Sequence, residues 1–430
     1  MPVLLGCSNL RMITSKKYLV PFILITTLFF LWGIAHNLNP FLIPHLKKAC
    51  QLSHLQSVII DSAFYIVYFI MALPAGMVIK KYGYQSGIVL GLLLFASGAL
   101  LFYPAAELRV FWFFFMALFV LASGLTFLET AANPYVTALG DKKNATIRLN
   151  FSQSFNGLAS TIAPILGSTF ILSGKNLPSN DKVITEEDAK LFLANEAFKV
   201  QVPYLIIGII VLFVAFIIWK VKLPEIVEVG LNPHSITESI FKQKNLMFGI
   251  AAQFFYVGAQ VCISTFFIKF VGDVASIEGS NAALYLSIAL LAFMVGRFVG
   301  LFLMRYFNPR SLLAWYSFFN IILLFIAVYA GNMVSIYALI AVEFFMSIMF
   351  PTIFSLSIED LGAQKKLGSS LQIMAIIGGA VIPIIMANVS DMTNVQTAYL
   401  VPAACFFVVM LFAASSKLNS NFKPQISTTI

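Results

Sequence analysis

Residues 110–138 read VFWFFFMALFVLASGLTFLETAANPYVTA, an apolar run whose single charged residue is Glu129. About 20 apolar residues suffice for a helix to cross the hydrocarbon core, so this run can span a bilayer. Asn133 follows Glu129 at i+4, which puts both side chains on one helix face. The residues between them are small and admit a close neighbouring helix. Pro134 cannot donate to the carbonyl of Thr130, so the helix bends beside this pair. A charged group at such a depth costs about 2.5–3.5 kcal/mol on insertion scales, which makes Glu129 a candidate functional group. Loss of water favours the protonated carboxyl, which can then take up and release a proton. The plainer alternative is a carboxylate satisfied by a fixed partner such as Arg297.

The pattern repeats along the chain. Of its 430 residues 60% are hydrophobic and 10% charged, against about 25% charged in soluble domains. Twelve runs of spanning length occur at 18–45, 56–79, 86–105, 110–138, 149–172, 202–222, 245–271, 281–304, 311–330, 334–357, 368–390 and 397–415. Polar connections occupy 173–201 and 223–244. The expected fold is an all-α membrane protein of twelve transmembrane helices in two pseudo-symmetric six-helix halves. Residues 1–222 form the first half, 223–244 a cytoplasmic linker, and 245–430 the second half with a short tail.

The net charge of +9 does not point to nucleic acid. The basic residues come as short pairs between apolar runs, such as Lys80-Lys81 and Lys365-Lys366, which is the pattern of cytoplasmic loops. With the N-terminus inside, eighteen of the 27 Lys and Arg residues face the cytoplasm and eight the outside, with Arg297 inside a span. Both termini are therefore expected inside. Cys7, Cys50, Cys262 and Cys405 show neither disulfide nor metal spacing. The basic residues before the first span suggest a signal peptide, but the apolar run is too long, so a retained helix is expected.

The halves echo each other. Gly76 and Gly300 are 224 residues apart, Gly33 and Gly258 225, and Pro134 and Pro351 217. Gln153 and Gln372 share the 219 offset of Pro164 and Pro383. Six-plus-six repeats about an axis normal to the membrane resemble the architecture of the major facilitator superfamily, which places binding at the midplane between halves.

Polar groups then mark the binding surface. Asn150, Gln153 and Asn156 recur every third residue in span five, with Ser160 beyond, and form a stripe on one face. Amides donate and accept hydrogen bonds, as a polyhydroxyl ligand requires, although interhelical bonding also favours such residues. Span one offers His36, Asn37 and Asn39 beside Pro40 and Pro44, which free backbone carbonyls. Span seven offers Tyr256 and Gln260, an aromatic ring and an amide suited to the two faces of a sugar. The candidate substrate-binding residues are Asn37, Asn39, Glu129, Asn133, Gln153, Asn156, Tyr256 and Gln260. Asp61 and Glu343 read as lying toward the outer surface, which leaves Glu129 as the single central acid. Asp61 is the candidate companion for proton coupling.

At these residues a family emerges. FFLWGIAHNLNPFLIP (29–44), FLETAANP (127–134), RLNFSQSFN (148–156), YVGAQ (256–260) and PTIFSL (351–356) resemble the L-fucose–proton symporter family. The HNLNP variant is similar to the bacterial glucose/galactose permeases within it. The resemblance covers about residues 19–415. It implies alternating access and a bacterial cytoplasmic membrane. It also implies two acids in the transport cycle. The span-four acid carries over to Glu129. The span-one acid falls on Pro40, which cannot bind a proton. The loop after span two keeps Gly76 and the positive charge of Lys80-Lys81, without the superfamily's acid and arginines.

The expected function is a secondary transporter importing a hexose-type sugar such as glucose, galactose or fucose, coupled to protons and acting as a monomer. Sodium-coupled or facilitative transport is the alternative. A drug exporter would prefer an apolar cavity with an acid, and the amide stripe argues against it. A channel should show charged or carbonyl rings. An enzyme would need clustered histidines and acids, and His36, His45, His54 and His234 do not cluster. No cofactor and no nucleotide are implied, for no GxxxxGK[ST] loop is present.

Overall fold

The computed structural model describes residues 14, 16–49, 54–108, 110–167, 170, 186–225, 239–277 and 279–415. Ten helical stretches among them are long and apolar enough to cross a membrane. One of the ten, Ala63–Leu108, has 46 residues; as a helix it would measure about 69 Å, more than twice the hydrocarbon thickness. It belongs to His54–Leu108, which breaks at Gly83 (φ 85°, ψ 170°). Only glycine adopts that conformation without strain, so Gly83 folds the stretch into two crossings, α2 (54–82) and α3 (84–108). The amide stripe lowers the hydropathy of Ala145–Leu166, which is a crossing that the apolar count omits. Twelve crossings result.

The other helices are α1 (Leu19–Ala49), α4 (Phe111–Ala138), α5 (Ala145–Leu166), α6 (Glu186–Lys220), α7 (Lys244–Ala275), α8 (Gly279–Leu303) and α9 (Pro309–Tyr329). The tenth crossing is split into α10a (Asn332–Met346) and α10b (Met349–Ser357). Pro351 cannot donate to the carbonyl of Ser347, which explains the break. The eleventh runs as α11a (Lys365–Met374), a 3-10 turn (Ala375–Ile377) and α11b (Gly378–Met392). The twelfth is α12 (Leu400–Ser415). α6 begins at Glu186, well inside the expected connection 173–201. Its opening sequence EEDAKLFLANEAF is rich in helix formers despite its charge.

Packing repeats between the halves. α1 lies on α5 as α7 lies on α11b, and α3 lies on α4 as α9 lies on α10a. The halves meet through α5 with α8 and through α2 with α11a, which are repeat counterparts. Close approach needs small residues: a Cβ on Gly124 would stand 2.3 Å from the amide nitrogen of Phe95.

The two halves are joined firmly at the lysine-rich end. Thr146 Oγ1 and Ser355 Oγ are 2.9 Å apart. Asn150 Nδ2 donates to Thr352 Oγ1 at 3.2 Å, and Ser369 Oγ donates to the carbonyl of Thr130 at 3.1 Å. Lys366 Nζ lies 5.1 Å from the centre of the Tyr84 ring. Beyond these contacts a cavity lies between the halves, reaching Ser160 and Pro164 along α5, while Thr161 Oγ1 and Met294 Sδ still meet across the halves at 3.4 Å.

Candidate functional site

The cavity measures about 670 Å³, a volume suited to a small-molecule ligand. Its walls come from α1, α2, α4 and α5 on one side and from α7, α8, α10 and α11 on the other. Along α5 the lining runs from Gln153 through Asn156 and Ser160 to Pro164. The stripe thus divides by depth. Asn150, one turn before Gln153, serves the closed lysine-rich end instead.

Glu129 is 8% exposed and lines the cavity. Tyr68 Oη donates to its Oε1 at 2.8 Å. The fixed partner is therefore a neutral hydroxyl, not Arg297. Arg297 donates from Nη1 to the backbone carbonyl of Gln153, across the two halves. Its guanidinium also lies 4.7 Å from the centre of the Phe293 ring. It passes over Gly157, where a Cβ would stand 2.9 Å from Arg297 Cδ.

Asn37, Glu129, Gln153, Asn156 and Gln260 all border this one cavity. Asn37 Nδ2 donates to the Gly33 carbonyl at 2.7 Å, which leaves its carbonyl oxygen for a ligand. Asn133 is fully buried behind the wall and accepts from Gln153 Nε2 at 3.3 Å. It orients Gln153. Tyr256 is also fully buried, and its hydroxyl donates to the carbonyl of Met346 at 3.0 Å. That carbonyl belongs to the last turn of α10a, where helix acceptors lack helical partners. Trp32, Tyr65 and Phe350 present rings to the cavity. The side chains of Asn39 and Asp61 lie outside the described residues.

His36 lines the cavity with its ring 4.9 Å from that of Phe64, edge to face. Glu343 departs from the expected near-surface position. It sits near the middle of the 26-residue stretch Asn332–Ser357, is 1% exposed, and lines the same cavity as Glu129. Ser264 Oγ donates to its Oε1 at 3.3 Å. Its place in the long tenth crossing was readable as about 16 Å of helical rise from Asn332, half a hydrocarbon core. Tyr68 carried no comparable signal, because one tyrosine in an apolar run is ordinarily packing or lipid contact.

Residues 22–370 match the family model described as Major Facilitator Superfamily. The chain is 40% identical to the L-fucose-proton symporter of Escherichia coli over 410 residues, covering 93% of each chain. It is 39% identical over 402 residues to a glucose/galactose transporter of Brucella abortus, covering 93% of this chain and 94% of the relative. Among solved structures, the transporter FucP in its outward conformation matches with a TM-score of 0.85 at 39% identity, over 94% of this chain and 100% of that one. The proton:xylose symporter XylE shares the fold, with a TM-score of 0.70 at 12% identity over 92% of this chain and 95% of that one.

Proposed function

The chain belongs to the major facilitator superfamily, and from that premise we propose that it is a secondary active transporter importing a hexose-type sugar with protons. The observation that carries the reading is the pairing of Glu129, held by one neutral hydroxyl, with amides from both halves around a single cavity. Gln153, Asn156, Asn37 and Gln260 bond the sugar hydroxyls. Trp32 and Tyr65 pack the apolar face of the ring. Asn133 and Tyr256 hold this surface from behind. The substrate is glucose, galactose or fucose, and Glu129 carries a proton. Sodium in place of the proton is the second reading. It is kept because Pro40 stands where the family resemblance implies an acid.

The halves are 1–222 and 245–430, joined by the linker 223–244. Both termini lie in the cytoplasm, and the lysine-rich end faces it. The cavity then opens outward, ready to receive sugar. Rocking of the halves would break the Thr146–Ser355 and Asn150–Thr352 contacts and open the site to the cytoplasm. The setting is a bacterial cytoplasmic membrane.

Counterflow of labelled hexoses in proteoliposomes tests the reading. Saturable exchange of at least one of the three sugars is expected. Absence of exchange for all three, from protein that remains folded, contradicts it.

A further inference from the structure

Glu343 occupies the second half's wall of the cavity, facing the half that holds Glu129. The two acids share more than a cavity. Each is buried, and each accepts a hydrogen bond from one neutral hydroxyl, Tyr68 for Glu129 and Ser264 for Glu343. They also fall close to each other in the repeat, though not at the same position. The Pro134–Pro351 offset of 217 carries Glu129 to position 346, and Glu343 lies three residues, about one turn, from it.

The charged and titratable groups around Glu343 do not neutralise it. α7 brings Tyr256, whose hydroxyl is committed to Met346. Tyr399, just before α12, donates to the carbonyl of Ile263 at 3.2 Å. α9 brings Tyr316 against Phe344 and Phe345. α8 brings Arg297, whose Nη1 donates to the Gln153 carbonyl and whose guanidinium lies over the Phe293 ring, with its Nε buried and without a hydrogen-bond partner. Glu129 and His36 border the cavity from the other half. Among the described residues no cation is placed to pair with Glu343. A bare carboxylate at mid-membrane depth is costly, and the cost grows when the halves close and exclude water.

We propose that Glu343 is a second proton-carrying carboxyl, so that each sugar enters with two protons, one on each half. This rests on the sugar–proton symport reading above. The carboxylate of Glu343 takes a proton from the medium at the open end and becomes a neutral acid. In that form it tolerates closure, and it releases the proton on the other side. No bond of the sugar changes.

Sugar accumulation in proteoliposomes under an imposed pH gradient, without membrane potential, reads the stoichiometry. A proton gradient of about tenfold supports about hundredfold accumulation with two protons per sugar and about tenfold with one. The wild type should reach the first limit. Glu343→Gln should fall to the second while keeping wild-type counterflow, and Glu343→Asp should stay nearer the first. Glu129→Gln with Glu343→Gln together should lose all proton-driven accumulation. A one-proton wild type, or Glu343→Gln accumulating like wild type, overturns the proposal. So does loss of counterflow in Glu343→Gln, which would assign the residue to sugar binding or folding. A wild type driven by sodium and not by protons refutes the proton reading itself, and the proposal falls with it. That outcome is visible before any variant is made.

Discussion

Replacing Gln153 by Ala removes one side chain and little else. Its backbone carbonyl, the acceptor for Arg297 across the halves, survives the change. α5 keeps its helix, because alanine is the best helix former. What disappears is an amide at the cavity wall, together with its 3.3 Å bond to Asn133. A sugar hydroxyl buried without its partner costs about 1–3 kcal/mol, so affinity should fall roughly five- to 150-fold. Asn133→Ala supplies the control. It releases Gln153 from its anchor yet removes no group from the cavity surface, so its loss should be clearly smaller. Asn150→Ala belongs to the closed end and should leave the sugar contacts intact. The assay is equilibrium binding of labelled sugar to purified protein, with thermal unfolding measured alongside. A Gln153→Ala dissociation constant within twofold of wild type, in normally folded protein, would refute the assignment.

Three further expectations follow from the same geometry. Thr146→Cys with Ser355→Cys places two thiols where hydroxyl oxygens now stand 2.9 Å apart, a separation compatible with a bridge. Oxidation should stop counterflow while sugar still binds, reductant should restore exchange, and unimpaired exchange in the bridged protein would contradict alternating access through this end. Gly124→Ala drives a methyl to 2.3 Å from the Phe95 backbone; overpacking of this kind costs about 1–3 kcal/mol, so the unfolding midpoint in detergent should drop, and an unchanged midpoint would contradict the α3–α4 packing. A reporter fused after Lys417 should read as cytoplasmic, and an external signal would overturn the orientation drawn from the Lys and Arg distribution.

Much of the architecture was legible because the bilayer imposes it. Hydrophobic length fixes the crossings, and Gly and Pro recur at similar offsets in both halves. The beginning of α6 was not legible, because Glu186, Glu187 and Asp188 look like loop composition yet form helix readily. The amide stripe was readable from its spacing, but its division between cavity and closed end was not. Asn150 and Gln153 differ by less than one turn, and only the placement of α10b decides which of them meets Thr352. The bond from the Tyr256 hydroxyl to the Met346 carbonyl was not legible, because an aromatic in a span gives no sign that its hydroxyl will meet the end of a broken helix. Glu343 was undervalued because depth was judged from the start of its run rather than from its midpoint.

The central claim is that sugar and proton move together through the cavity that holds Glu129. Sugar-driven proton movement tests it most directly. Proteoliposomes with a pH-sensitive dye inside and no initial ion gradient receive an inward gradient of the transported hexose. The wild type is expected to acidify the interior, with Glu129→Gln moving fewer protons per sugar at preserved counterflow. A wild type that takes up sugar with no change of internal pH, or a Glu129→Gln variant that acidifies as strongly as wild type, would contradict the account.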